Sequence, residues 1–302
     1  MYSIDPTFRE AKHDPISLVM SAEKSYEDQI NTLIAHIPSS VRFLALAGPS
    51  CSGKTTTAHR LINAFERVGR KVFVLSLDDF FKGIENAPLD DEGNPDLDHI
   101  DLIDHDLLQK VLKGFCTNDI VEIPTFNFVL RARDEKWRRI NSADYDLCIV
   151  EGLHALHPRF NNLIPQEYLF SLYVSVTEDY RIGDEPFLSM LEIRLLRRMV
   201  RDYYCRGATI PYTYHLWRNV LRGENRFIYP SINRADWKLS SNFITEPHFM
   251  AHDALPLLSV IDKGEKVFPT AKLLCEKLER IPPLSPDLLP GDSLLREFFG
   301  HR

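Results

Sequence analysis

Residues Gly48 to Thr55 read Gly-Pro-Ser-Cys-Ser-Gly-Lys-Thr, two glycines with four residues between them followed by Lys and Thr. The short apolar run Val41–Ala47 before them reads as a buried strand. After them, Leu61, Ile62, Phe65 and Val68 recur at helical spacing. Strand, glycine loop and helix is the context in which such a loop cradles phosphates. Gly48 and Gly53 let backbone N–H groups turn inward, with Ser50, Ser52 and Thr56 beside them, and the helix N-terminus adds partial positive charge. Lys54 is placed to reach the outer phosphates and the Thr55 hydroxyl to help hold Mg²⁺. The chain is expected to bind a nucleoside triphosphate.

At 302 residues the chain can bury a sizeable core in one large domain or two modest ones. A net charge of −7 argues against a general nucleic-acid binder, and no apolar run approaches membrane-spanning length. The first forty residues carry Asp5, Glu10, Asp14, Glu23, Glu27 and Asp28, unlike a signal or transit peptide, so a cytoplasmic protein is expected. Five scattered cysteines without a Cys-x-x-Cys suit reduced thiols rather than a disulfide framework or zinc site.

Residues 1–38 read as an N-terminal helical appendage, with a helix over about 15–36, ahead of the body of the chain at 39–302. Further strands are expected at Lys71–Leu77, Asp146–Val150 and Leu169–Val176. Helices are expected at Asp104–Gly114, capped by Asp101 or Asp104, and over about 187–206. Buried strands alternating with helices imply an α/β fold, a parallel sheet covered on both faces. Ligands then bind beyond the carboxyl ends of the strands.

Two of those strand ends carry acids. Asp78-Asp79 follows the second strand, and one of the pair is a candidate base for an attacking hydroxyl. Glu151 ends the third and can order Mg²⁺ directly or through water. The stretch Asn94–Asp104 holds Asp96, Asp98, Asp101 and Asp104, a solvated acidic loop of which one member can accept hydrogen bonds from adjacent sugar hydroxyls. On the long helix Arg194, Arg197, Arg198 and Arg201 fall within one narrow arc. Arg194–Arg198 and Arg197–Arg201 are like-charge pairs at i,i+4, with only Asp202 placed to offset Arg198. A charge run is usually a solvated face, yet this one repels itself and calls for an anion opposite. With Arg206 these side chains can clamp phosphates, within an arginine-bearing lid at about 194–226.

Taken together, GPSCSGKTT, LSLDDFF, DLDHIDLID, EIPTFNFVLRAR, IVEGLH and RLLRRMVRDYYCRG occur in the order found in the uridine kinase family of P-loop kinases, which the chain resembles over about residues 40–302. Within that family the likeness is closest to the bacterial uridine kinase-like nucleoside kinases, through LWRNVLRGENRFIYPSINRADWKLSSN and the terminal SLLREFFG. The resemblance implies a P-loop kinase fold using ATP and Mg²⁺ on a small-molecule substrate, and permits a homo-oligomer. It implies Asp78 as the base, Asp98 on the ribose hydroxyls, Phe128 against the base ring and Glu151 serving the metal. By the same likeness Arg198 approaches the acceptor sugar, while Arg201 and Arg206 hold ATP phosphates.

Four positions depart from the family pattern. Phe81 and Phe126 stand where tyrosines are usual, Arg131 where a pyrimidine-reading His is usual, and Ala208 where a further arginine is expected. An Arg is a donor only, so the acceptor pocket is altered while the phosphoryl-transfer set is kept. The expected activity is phosphorylation of uridine or cytidine at the 5′-hydroxyl. The alternatives are the same chemistry on another sugar, a sugar phosphate or a pantothenate-like alcohol, or an ATP-gated regulatory protein without turnover.

Overall fold

In the computed structural model, residues 2–89, 93, 96, 99–127, 130 and 132–299 are described. The first core strand, β1 (Phe43–Ala47), is buried along its whole length. Leu44 and Leu46 join the apolar cluster on one face, while Phe43, Ala45 and Ala47 join that on the other. An apolar residue at every position, rather than every second one, is the mark of a strand covered on both sides. β2 (Val72–Ser76), β3 (Leu147–Glu151) and β4 (Leu169–Ser175) are largely buried too, apolar except at Ser76, Glu151, Ser171 and Ser175, and each lies within two residues of the expected bounds. A fifth strand, β5 (Trp237–Ser240), was not among those expected. It has four residues and is only partly buried, so its pattern is weak. All five run parallel in the order β2-β3-β1-β4-β5.

Eight helices of eight residues or more surround the sheet among the described residues: α1 (Asp5–His13), α2 (Pro15–His36), α3 (Lys54–Arg67), α4 (His105–Thr117), α5 (Met190–Arg206), α6 (Ile210–Gly223), α7 (Glu246–Ser259) and α8 (Phe268–Leu278). Asp104 caps α4 by accepting from Leu107 N–H at 3.1 Å. A capping box of Ser189 and Glu192 starts α5, and Gly207 in the left-handed region (φ 62°) ends it. None of the described helices is long and apolar enough to cross a membrane, and all five cysteines are free thiols.

The N-terminal residues share the main core. Leu18, Val19, Tyr26, Ile30 and Leu33 of α2 are buried in the cluster that holds α3, α5 and α7. Tyr26 Oη bonds to Thr57 Oγ1 at 2.7 Å, and Tyr2–Ser3 pairs in parallel with Tyr180–Arg181. His248 on α7 joins this segment to the end of the chain. Its Nδ1 donates to Pro282 O at 2.6 Å, since a carbonyl only accepts, and its Nε2 lies 2.7 Å from Thr7 Oγ1, which itself donates to Ile4 O at 2.6 Å.

The largest wholly buried side chain is charged. Arg197 of α5 donates to Glu246 of α7 through Nε (2.5 Å) and a terminal nitrogen (2.8 Å), with neither residue exposed. It also donates to Cys51 O at 3.1 Å and Ser241 O at 2.6 Å. With Ser241 Oγ at 3.2 Å, every N–H of the guanidinium has an acceptor, and Glu246 accepts further from Tyr180 Oη at 3.4 Å; partners of this kind are what make burial of two charges tolerable.

Two outcomes follow from these contacts. Arg197→Met leaves Glu246 buried without a counter-charge and is expected to lower the unfolding free energy by about 3–5 kcal/mol. Urea titration measures this, and the double variant with Glu246→Leu should recover much of the loss. A single-variant loss below ~1 kcal/mol would contradict the assignment. Burial depresses the His248 pKa, the bond to Pro282 only partly opposing it. The unfolded chain therefore takes up the proton first, so stability present above about pH 6.5 declines as pH falls through that value toward the folded-state pKa. Melting temperatures between pH 7.5 and 5.5 should fall less steeply in His248→Gln than in the parent protein.

Candidate active site

The loop after β1 occupies the centre of the strand order, so neighbouring strand ends flank it. Glu151, at the end of β3, lies in register with Leu46 of β1 and Ser76 of β2. Asp78 follows two residues after β2, on the tight turn Leu77–Phe80. These groups, with Ser50 to Thr55, open onto one cavity of about 1090 Å³. That volume is ample for a nucleotide and a second small molecule.

The loop is shaped by close approach. A Cβ on Gly48 would lie 2.1 Å from Val174 O, and Gly53 takes φ +86° with Leu294 packed where a side chain would go. Cys51 takes φ 59° without being glycine, and its carbonyl is the one bonded by Arg197. Lys54 Nζ donates to Gly48 O (2.9 Å) and Pro49 O (3.1 Å), so the ammonium lies across its own loop. The buried Ser52 hydroxyl makes no hydrogen bond to protein. Loop, lysine and unused donor together fit a polyphosphate. Thr55, Asp78 and Glu151 supply oxygen ligands on the same cavity wall, the hard donor type that Mg²⁺ takes.

The arginine helix differs from its expectation in an instructive way. Arg194 and Arg197 do not line the cavity. Arg194 is buried against Glu224, also donates to Ser50 O at 3.1 Å, and Arg197 is paired with Glu246. The i,i+4 repulsion does call for anions, and the chain supplies two of them from distant segments. Glu224 further accepts from Ser50 N–H at 2.9 Å, so this carboxylate grips the loop from the lid side. Arg198, Arg201 and Arg206 do line the cavity. Asp202 contacts all three, at 3.3, 2.9 and 3.3 Å, and Arg198 also donates to Ser50 Oγ at 2.9 Å.

Toward the other end, Phe81 and Phe126 meet edge to face, centroids 5.6 Å apart, beside Lys82. Asp79 faces away from Asp78's position. It pairs with Arg138 at 2.7 Å and accepts from Phe126 N–H at 3.3 Å, fixing the aromatic pair. Burial raises its pKa in spite of Arg138. Of the acidic stretch, Asp104 caps α4 and Asp101 pairs with Arg159, a structural use of both. Asp98, Phe128 and Arg131 lie outside the described residues. Thr56, expected to face phosphate, donates to Glu297 at 2.9 Å.

Glu224, Glu246 and Glu297 carry none of the expected roles, because a lone acid near an unremarkable helix gives no local signal. The unbalanced arginine arc was the one hint that such partners had to exist.

The sequence model of the phosphoribulokinase / uridine kinase family matches residues 43–242. A uridine kinase from Staphylococcus haemolyticus is 29% identical over 194 residues, 64% of this chain and 84% of that protein. One from Clostridium botulinum is 27% identical over 195 residues, with the same coverage. The solved structure of a possible uridine kinase from Bacillus stearothermophilus superposes with a TM-score of 0.51 at 17% identity, covering 72% of this chain and 98% of the other, a likeness of fold. The match spans the phosphate loop, both acid-bearing strand ends, the arginine helix and the fifth strand, and the chain belongs to the phosphoribulokinase / uridine kinase family of P-loop kinases.

Proposed function

We propose that this kinase transfers the γ-phosphoryl group of ATP to the 5′-hydroxyl of uridine or cytidine. The observation that carries the reading is the grouping of Lys54 and Thr55 with Asp78 and Glu151 on one cavity, at the carboxyl ends of three adjacent strands. Relatives named uridine kinase at 27–29% identity favour the nucleoside acceptor.

In this reading Asp78 takes the proton of the acceptor hydroxyl as its oxygen attacks the γ-phosphorus. The bond to the β-phosphate oxygen breaks in line, and ADP leaves. Lys54 turns from the loop carbonyls to the outer phosphates. Thr55, Glu151 and Asp78 would hold Mg²⁺, which would supply charge neutralisation for the phosphates. Gly48, Ser50, Ser52, Gly53 and Thr56 surround the polyphosphate. Arg201 and Arg206 pass from Asp202 to the phosphates, and Arg198 turns to the acceptor. Phe81 and Phe126 bound the acceptor ring, with Asp98, Phe128 and Arg131 completing that end. Closure of the arginine-bearing segment excludes water, which limits wasteful hydrolysis.

A second reading keeps the chemistry and exchanges the nucleoside for an anionic acceptor. Lys82 beside two hydroxyl-free aromatics favours it, because this end of the cavity offers a cation.

Asp78→Asn is expected to lower turnover by about 10²- to 10⁴-fold, the usual worth of a general base, while ATP affinity stays within a few-fold. ADP release across ribonucleosides, deoxynucleosides, sugar phosphates and pantothenate, with this variant as blank, identifies the acceptor. Stimulation by uridine or cytidine supports the first reading, and stimulation by anionic acceptors alone the second. Unchanged turnover in Asp78→Asn would falsify the assignment of the base.

A further inference from the structure

The end of the chain is built into the phosphate loop. Ser293 donates to the buried Glu23 of α2, and Arg60 of α3 donates to Asp292 O at 2.8 Å. Leu294, wholly buried, fills the space beside Gly53, so that any side chain there would meet its methyl group at 2.7 Å. The Arg197 guanidinium sits over the Phe298 ring, 4.7 Å from its centroid, and Phe299 stacks against Phe249 of α7 at 6.4 Å. Between these anchors Glu297 alone faces the cavity, where it accepts from Thr56 Oγ1. A carboxylate so held is fixed in position at the first turn of α3.

Asp78 and Glu151 stand off β2 and β3, to one side of the loop after β1. The tail packs with α2, α3, α5 and α7, and Glu297 enters the same cavity from beside the first turn of α3. The two acids and Glu297 thus face the loop from different elements. Beyond the α-phosphate the ligand presents hydrogen-bond donors, namely ribose hydroxyls and an exocyclic amine. A carboxylate is acceptor-only and matches them, whereas beside phosphate alone it would be repulsive. Glu297 also lies near Arg201, where it and Asp202 help to offset the effect of burial on that guanidinium.

We infer that the segment Ser293–Phe299 forms a wall of the donor-nucleotide pocket and that Glu297 recognises hydrogen-bond donors of the nucleoside moiety. This rests on the reading that the cavity takes ATP.

The test is equilibrium binding, by calorimetry on the full chain, of ATP, inorganic tripolyphosphate, 2′,3′-dideoxy-ATP and the 6-deamino analogue purine riboside triphosphate. The parent protein should prefer ATP over at least one analogue by about tenfold to a hundredfold, the worth of a hydrogen bond to a charged group. Loss with the dideoxy compound assigns the contact to the ribose, and loss with the deamino compound to the base. Glu297→Ala should erase that preference and leave tripolyphosphate binding unchanged or tighter, with Glu297→Gln intermediate because it can still accept. Equal loss for ATP and tripolyphosphate in both variants, or no loss at all, overturns the inference and leaves Glu297 a structural partner of Thr56. Absence of ATP binding in the parent protein would instead sink the nucleotide reading itself.

Discussion

A guanidinium with no access to water sets the form of the phosphate loop. Arg197 reaches from α5 to the carboxylate of Glu246 on α7, to Ser241 just past β5, and to the carbonyl of Cys51 in the loop. Cys51 is held in a left-handed conformation that costs about 1–3 kcal/mol for a residue with a side chain. Such a conformation persists only where its surroundings over-determine it. Here a bidentate ion pair, a ring below and a hydrogen bond to the strained residue do so together. Glu224 and Arg194 repeat the arrangement one turn earlier on the helix, gripping Ser50 by its N–H and its carbonyl. The loop is therefore braced by buried charges, of which Glu224 also lines the cavity.

That division changes the meaning of the arginine helix. Charges facing a ligand and charges buried beneath a loop are indistinguishable in a helical projection, since both lie on the side away from solvent. Arg194 and Arg197 differ from Arg198 and Arg201 only in which acids the fold brings to them, and those acids lie 30 and 49 residues away. The repulsion along the helix was readable locally. Its compensation depends on the packing of α5 against α7 and on the turn after α6, and no local pattern reports that.

The same distinction governs the rest of the chain. The phosphate loop and the first four core strands are visible because each is specified within ten residues, by glycines at fixed offsets or by an unbroken apolar run. The acids at the ends of β2 and β3 follow from the general location of ligand sites in parallel sheets. β5 escapes because four half-buried residues, Trp237 to Ser240, carry too short a pattern to set apart from a loop. The tail escapes for a different reason. Ser-Leu-Leu-Arg-Glu-Phe-Phe offers apolar residues with no period, and the contact of Glu297 with Thr56 joins positions 241 apart. The binding of α1 to His248 spans the same distance.

A consequence for selectivity lies in the four cations that reach the cavity from the phosphate loop and the arginine helix. Lys54 is bonded to two loop carbonyls, and Arg198, Arg201 and Arg206 share Asp202. An incoming anion therefore replaces existing contacts instead of adding to empty ones. A single phosphate monoester meets only some of these cations and must offset the loss of internal bonds with few new ones. A triphosphate spans the loop and the helix together, so its several bonds form in concert, each joining two full charges, where the bonds displaced at Lys54 run from the ammonium to neutral carbonyls. Asp202, left with fewer partners, remains beside the arginines and limits how much net positive charge the site presents. Selection for a polyphosphate thus comes from competition with the protein's own acceptors, an effect that simple counting of positive side chains would miss.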